Sequence, residues 1–386
     1  MYVLSIDLVN SFFNYSLYKL DSEELVASGF IENNLSESQF LIKYKDEKIV
    51  LELEINDYKE VVNIFLNKLL DLKVINSLYE IKEIGFKVSK VDSKYDNSCL
   101  VTDKLIDDLI NLSQVDIALI IKSFKEIVPE CLLVCVFDTQ FYNTIPKENY
   151  IYPVPYKWFS DYDVRKYGFN GIIHNFVTLE MRKVVGKDDF KFISCYLDRE
   201  CSITAVKNMQ SVDTSQGFSN ISGAMMSNHS GDIDFSIIPY IMEKEGKNAS
   251  EVIDDLSKSS GLLGLSGYSD DIYEILKKCE DGDEFAILAK NKYVRRIVDY
   301  IAQYYVLLDG VDYIVFTGSI GENCSFIRRE ICEKLLSLGV KIDLEENCKS
   351  NELVKISSDD SKISVYVVPS SLHLMIMREC KKLLNR

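Results

Sequence analysis

Long apolar runs are missing from this chain: no stretch of 18 or more apolar residues occurs in its 386 positions, so no segment reads as a membrane span. The start, Met1-Tyr2-Val3-Leu4-Ser5-Ile6-Asp7, has neither the basic opening nor the extended apolar core of a signal peptide. Positive charge is also short. Forty-four Lys and Arg stand against 60 Asp and Glu, a formal charge of −16. That balance argues against nucleic acid or an anionic membrane as a partner, since both need a basic face. It leaves room for a nucleotide, which needs only a local cluster of donors. The ten cysteines contain no C-x-x-C pair, so they are expected as free thiols in a reducing cytoplasm.

What is present is the composition of a globular protein, 47% hydrophobic and 11% aromatic, at a length that predicts two domains with separate cores. Apolar runs at 3–9 and 12–18, separated by Asn10-Ser11, predict a β-hairpin. Helical spacing of Val61, Val62, Phe65, Leu69 and Leu72 predicts a helix over 58–76. A buried strand at 131–137 ends at Asp138-Thr139, a placement where α/β folds put chemistry. Three of the six prolines fall within 145–155 and punctuate the chain there. Beyond them the pattern predicts a loop-to-helix segment at 165–185, a hairpin over 190–197 and 201–207, and a Gly/Ser/Asp-rich stretch at 215–234. A long helix at 285–308, a strand at 313–316, a strand at 363–368 and a helix at 372–384 complete it. Strands alternating with helices imply an α/β fold.

The strongest local signal is Phe316-Thr317-Gly318-Ser319-Ile320-Gly321-Glu322-Asn323, a strand running into a glycine turn and then a helix over 325–338. Free backbone N–H groups at such a turn suit a nucleotide, although the same pattern also serves as a plain strand-to-helix connection. Earlier in the chain stand Tyr152-Pro153-Val154-Pro155-Tyr156 and Val164-Arg165-Lys166-Tyr167-Gly168-Phe169-Asn170-Gly171. Ser202-Ile203-Thr204-Ala205-Val206, Val212-Asp213-Thr214-Ser215-Gln216-Gly217-Phe218 and Ser230-Gly231-Asp232-Ile233-Asp234 follow. In this order, these segments resemble the acetate kinase family across nearly the whole chain. The resemblance implies a two-domain actin-like ATPase (ribonuclease H-like) fold with an interdomain cleft, a homodimer, and phosphoryl transfer from Mg-ATP to a short carboxylate. Its domains would be 1–145 with 374–386, and 146–373, the second carrying the adenosine-side turn and the dimer surface.

The same resemblance assigns roles, and many of the residues that should fill them differ. Asp7 stands in the family's first-strand motif and is the expected metal-side residue, while Val9 and Phe12 replace a glycine and a hydroxyl there. Lys87, in Gly85-Phe86-Lys87, replaces the arginine of a G-H-R motif; it keeps the charge but loses the bidentate fork. Asp138 keeps the family's F-D-T. Asn170 replaces the signature histidine, and His229 replaces the second essential arginine. Asp198-Arg199-Glu200 stands where a G-N-G turn cradles phosphate, and Ser370-Ser371-Leu372-His373 where two metal-associated carboxylates belong. The expected catalytic set is therefore Asp138, Lys87, Asn170 and His229. The expected nucleotide set is Gly318, Ser319, Ile320, Gly321, Glu322, Asn323, Asp271 and Arg199, with Phe169 and Leu112 at the carboxylate pocket; His174 is expected to be structural. Three readings follow from this pattern. One is a catalytically silent paralogue acting by binding, as a regulator or mixed-dimer partner of an acetate kinase. The others are a phosphotransferase with residual or altered activity through Asp7, Lys87, Asp138 and His229, and a nucleotide or metabolite sensor.

Overall fold

In a computed structural model the chain forms two compact units, Met1–Gln140 with Ser371–Arg386, and Phe141–Ser370. Where the sequence reading set 145 and 374, these units divide at 140 and 371. The structure describes all residues except 10–11, 33–37, 46, 54–56, 90–94, 350–351 and 385–386, so the Asn10-Ser11 turn lies outside the described residues. Among the described residues no helix is long and apolar enough to cross a membrane.

The first unit is built on an eight-stranded mixed sheet. Its strands are β1 (Tyr2–Val9), β2 (Phe12–Lys19), β3 (Leu25–Glu32), β4 (Ser38–Tyr44), β5 (Glu47–Leu53), β6 (Ile81–Val88), β7 (Cys99–Leu100) and β8 (Leu132–Phe137). They lie in the order β5-β4-β3-β2-β1-β6-β8-β7. The first two form the predicted hairpin, Tyr2 opposite Lys19. The centre is parallel, β1 beside β6 and β6 beside β8, so three strand ends meet on one edge.

Helices α1 (Tyr58–Asp71), α2 (Asp103–Asn111) and α3 (Val115–Ile127) pack on one side of this sheet. Asp57 caps α1 by accepting the Glu60 N–H at 2.8 Å. The stripe Val61, Val62, Phe65, Leu66 and Leu69 is buried, with Phe65 set 4.5 Å from the Tyr15 ring and 5.6 Å from Phe13. Burying each such aromatic contributes about 2–3 kcal/mol. The helix stops at Asp71, short of the expected 76, because Lys73 turns into the left-handed region (φ 52°) and Val74 N–H bonds back to Leu69 O at 2.9 Å. The last helix, α14 (Leu372–Leu384), covers the other side. A Cβ added at Gly85 of β6 would come 2.5 Å from Cys380 Sγ and 2.6 Å from Ile376 Cγ2. Glycine at 85 is thus what lets α14 lie against the β6 backbone.

In the second unit come α4 (Lys147–Tyr150), α5 (Lys157–Tyr162) and α6 (Gly171–Val185), then β9 (Lys191–Leu197), β10 (Cys201–Lys207) and β11 (Gln210–Thr214). Helices α7 (Ile237–Glu245), α8 (Ala249–Lys258), α9 (Gly261–Ser266), α10 (Ile272–Glu280) and α11 (Glu284–Leu307) follow. The unit ends with β12 (Tyr313–Thr317), α12 (Gly318–Asn323), α13 (Ser325–Lys334), β13 (Val354–Lys355) and β14 (Ser364–Val367). Its six strands run in the order β11-β10-β9-β12-β14-β13. One face of that sheet packs on α11, whose Tyr293, Ile297, Ile301 and Tyr304 are fully buried. All ten cysteines are free.

Candidate functional site

Asp7, Lys87 and Asp138 follow one another across the C-terminal ends of β1, β6 and β8. Register pairs Ile6 with Phe86 and Val88 with Phe137, and the Asp138 N–H donates to Val88 O at 2.8 Å. Strand ends of parallel sheets present side chains and backbone to ligands. Lys87 Nζ lies 3.8 Å from Asp7 Oδ1, with both side chains largely buried, and Asp138 is buried as well. His373, at the start of α14, stands beside this pair. Its carbonyl accepts the Ser5 hydroxyl at 2.8 Å, and its Nδ1 is buried with no hydrogen-bond partner. Burial is the main force lowering the His373 pKa, with Asp7 pulling it up and Lys87 pushing it down. The sequence reading noted His373 only as a lost carboxylate; nothing in its spacing signals that it sits over Asp7 and Lys87. Leu112, assigned to the carboxylate pocket, is the exposed residue that ends α2.

The second cluster gathers at the turn joining β9 to β10. Asp198 N–H donates to Glu200 O at 2.9 Å, and Arg199 N–H to Asp198 Oδ1 at 2.7 Å. Asn170, in the left-handed conformation (φ 60°) before α6, turns its Nδ2 towards Glu200 Oε2 at 3.2 Å and Gln216 Oε1 at 3.2 Å. One helical turn on, His174 is enclosed, with Nδ1 2.8 Å from Ser194 Oγ and Nε2 2.8 Å from Ser202 Oγ. Burial presses its pKa down to about 3, so it is a neutral connector. His229 Nδ1 meets Asn228 Oδ1 at 2.7 Å; burial lowers its pKa and Glu200 opposes that only in part. His229 is therefore uncharged at neutral pH and offers no arginine-like cation. Phe169 is half-buried, its carbonyl accepting the Tyr142 hydroxyl at 2.6 Å.

The glycine turn at 318–323 is itself the short helix α12, entered through Gly318 at φ +81°. A Cβ at Gly318 would meet Leu197 O at 2.7 Å. Its first two N–H groups are already engaged. Gly318 N–H donates to Glu322 Oε1 at 2.9 Å, and Ser319 N–H to Asp198 Oδ2 at 2.8 Å. Glu322 Oε1 also takes the Ser370 N–H and hydroxyl, each at 2.9 Å. Asn323 Nδ2 closes the helix onto Ser319 O at 2.9 Å, while buried Arg328 donates to Gly321 O and Glu322 O at 2.9 and 2.7 Å. Beside this turn lies a pocket of about 120 Å³, lined by Arg199, Asp270, Asp271, Tyr273, Ser319 and Ile320 among others. Arg199 is paired with Asp270 across it, and Asp271 Oδ1 accepts the Tyr273 N–H at 2.7 Å as the cap of α10. The structure therefore brings Arg199, Asp271, Ser319 and Ile320 to one cavity, with Gly321 buried in the helix behind them.

The sequence profile of the Acetokinase family matches residues 2–378. This chain belongs to the acetokinase family. The acetate kinase of Chlorante-Aster yellows phytoplasma is 38% identical over 390 residues, covering 99% of this chain and 95% of that protein. The acetate kinase of Bacillus cytotoxicus is 38% identical over 392 residues, with 99% of each covered. Among solved structures, the acetate kinase of Porphyromonas gingivalis matches at a TM-score of 0.93 and 31% identity over 99% of both chains. A propionate kinase from Francisella tularensis matches at 0.91 and 31% over 98% of both. The fold of this acetokinase-family chain is accordingly mixed α/β with two open sheets, the actin-like ATPase fold.

Proposed function

We propose that this acetokinase-family chain acts by binding, as a regulatory or dimer partner, and that its capacity to transfer phosphoryl from ATP to acetate is lost or strongly impaired. The observation that carries this reading is the bond from Ser319 N–H to Asp198 Oδ2, together with the pairing of Arg199 to Asp270. Carboxylates of the chain itself take the donors that a phosphate group would need.

Joining a phosphoryl group to a carboxylate brings two anions together, so such a site depends on cations, a metal and donors aimed at developing charge. Here Lys87 faces Asp7, His229 is held neutral by burial, and Asn170 carries no charge. Acetate kinases use Mg-ATP, and the residues in place fit it poorly. Asp198 and Glu322 occupy the α12 donors that would meet its phosphates. The partner expected is a second copy of this chain or an acetate kinase of the same cell.

One finding favours a second reading, an active kinase making acyl phosphate from acetate or propionate: identity of 38% to acetate kinases along 99% of the chain. A coupled acyl-phosphate assay with Mg-ATP and each carboxylate, run beside the Bacillus cytotoxicus enzyme, separates the two. Loss of a single cation on transferring phosphoryl costs about 10³–10⁵ in rate, so turnover at least about a thousandfold below the reference is expected. Turnover within tenfold of it, abolished by Asp138→Ala, overturns the proposal.

A further inference from the structure

Glu83 plays no part in either cluster, and its position is unusual. It lies on β6, fully buried, and neither carboxylate oxygen has a hydrogen-bond partner. Alternation along β6 sends Ile84, Phe86 and Val88 into the core that holds α1 and α3, with Phe86 5.6 Å from the Phe124 ring. Glu83 and Lys87 share the opposite side with Gly85, against which α14 rests through Cys380 and Ile376.

The groups around Glu83 give it no counter-charge. From α14 it meets the field of Cys380, which also feels Glu379; from the segment entering β8 it meets Cys131, itself influenced by Lys82. From β1 its register partner is Val3. The cations of α14 point to other acids: Arg378 Nε and Lys381 Nζ reach Glu23 at 2.9 and 3.4 Å, and Lys382 pairs with Glu379. An ionised carboxylate in this place would be a buried, uncompensated charge, which a protein avoids by keeping the group protonated or by opening.

We propose that Glu83 is a proton-operated latch for α14: protonated, it lets the helix seat on β6, and ionised, it loosens that seat and with it His373 beside Asp7 and Lys87. Burial raises the pKa of Glu83 to about 7, so the latch changes state near neutrality. Protonation is favoured in the seated form, and opening of α14 therefore becomes easier as pH rises.

Hydrogen exchange of the full-length protein, followed on peptides from α14 at about pH 6 and about pH 8 and corrected for intrinsic exchange, reads this directly. Linkage predicts an opening constant for α14 about tenfold larger at the higher pH, with α11 unchanged. In Glu83→Gln, which keeps the shape and cannot ionise, the α14 difference should vanish; Glu83→Met serves the same purpose if the amide variant folds poorly. A wild-type α14 whose opening is the same at both pH values overturns the proposal, as does an equal rise in wild type and both variants.

Discussion

The two clusters treat buried polarity differently, although Gln216 Nε2 in the second is also buried without a partner. Around Asn170 and His174 in the second unit, side chains answer one another: both imidazole nitrogens meet a serine hydroxyl, and the amide of Asn170 reaches Glu200 and Gln216. On the α14 side of the first sheet, Glu83 has no partner on either oxygen and His373 Nδ1 has none. Satisfied networks hold their geometry because breaking any bond strands its partner. Unsatisfied groups leave a region responsive to protons or ligand. The difference teaches that this chain has filled the second cluster with its own side chains while leaving stress under α14.

The largest effect that sharpens this contrast is catalytic, the rate deficit of at least about a thousandfold set out above. The next is on stability. His174→Ala removes a side chain, takes from Ser194 its imidazole partner and leaves Ser202 only the Asn170 Nδ2 at 3.4 Å, so a loss of about 3–5 kcal/mol is expected in chemical denaturation. Should the loss be under about 1 kcal/mol, the second cluster is not the rigid network described.

The two regions also respond to pH with opposite signs. Glu83 is raised from 4.5 to about 7 in the folded protein, so the native state holds its proton more tightly. Its stabilising contribution is full below about pH 4.5 and declines by about 1.4 kcal/mol per pH unit up to about 7, roughly 3 kcal/mol in all. His174 is lowered from 6.5 to about 3. Its contribution is full above about pH 6.5 and falls by about 1.4 kcal/mol per unit as pH drops towards 3. Denaturation of wild type minus Glu83→Gln should therefore worsen with rising pH in this window, and wild type minus His174→Ala with falling pH. Equal slopes for both pairs would break the comparison. The smallest effect is expected from Lys87→Arg: restoring the bidentate fork alone should change acyl-phosphate formation less than about tenfold, because residues acting together do not recover singly.

Much of this architecture is legible in the sequence where periodicity is strong. The opening hairpin, the 201–207 strand and the closing helix at 372–384 stand where alternation and helical spacing put them. The meander β3 to β5 and the helices α2 and α3 were not anticipated, because short half-buried segments such as Leu25–Glu32 carry no clean period. The family resemblance implies that Asp198 and Glu200 replace glycines, yet only coordinates reveal that Asp198 reaches the Ser319 N–H, 121 positions away. For the same reason the glycine turn reads as open, while Glu322 closes it into a helix from within. Glu83 is invisible in sequence, since a single acid in an apolar strand looks like a solvent-facing residue until α14 is laid over it.

The account rests on the α12 donors being held by the chain's own carboxylates, and titration calorimetry of Mg-ATP into wild type and into Asp198→Gly/Glu200→Gly tests it most directly. Wild type is predicted to show no ATP binding tighter than about 1 mM, an affinity worth only about 4 kcal/mol, while the glycine variant gains at least about tenfold. Micromolar ATP binding by wild type, unimproved by the two glycines, would contradict it.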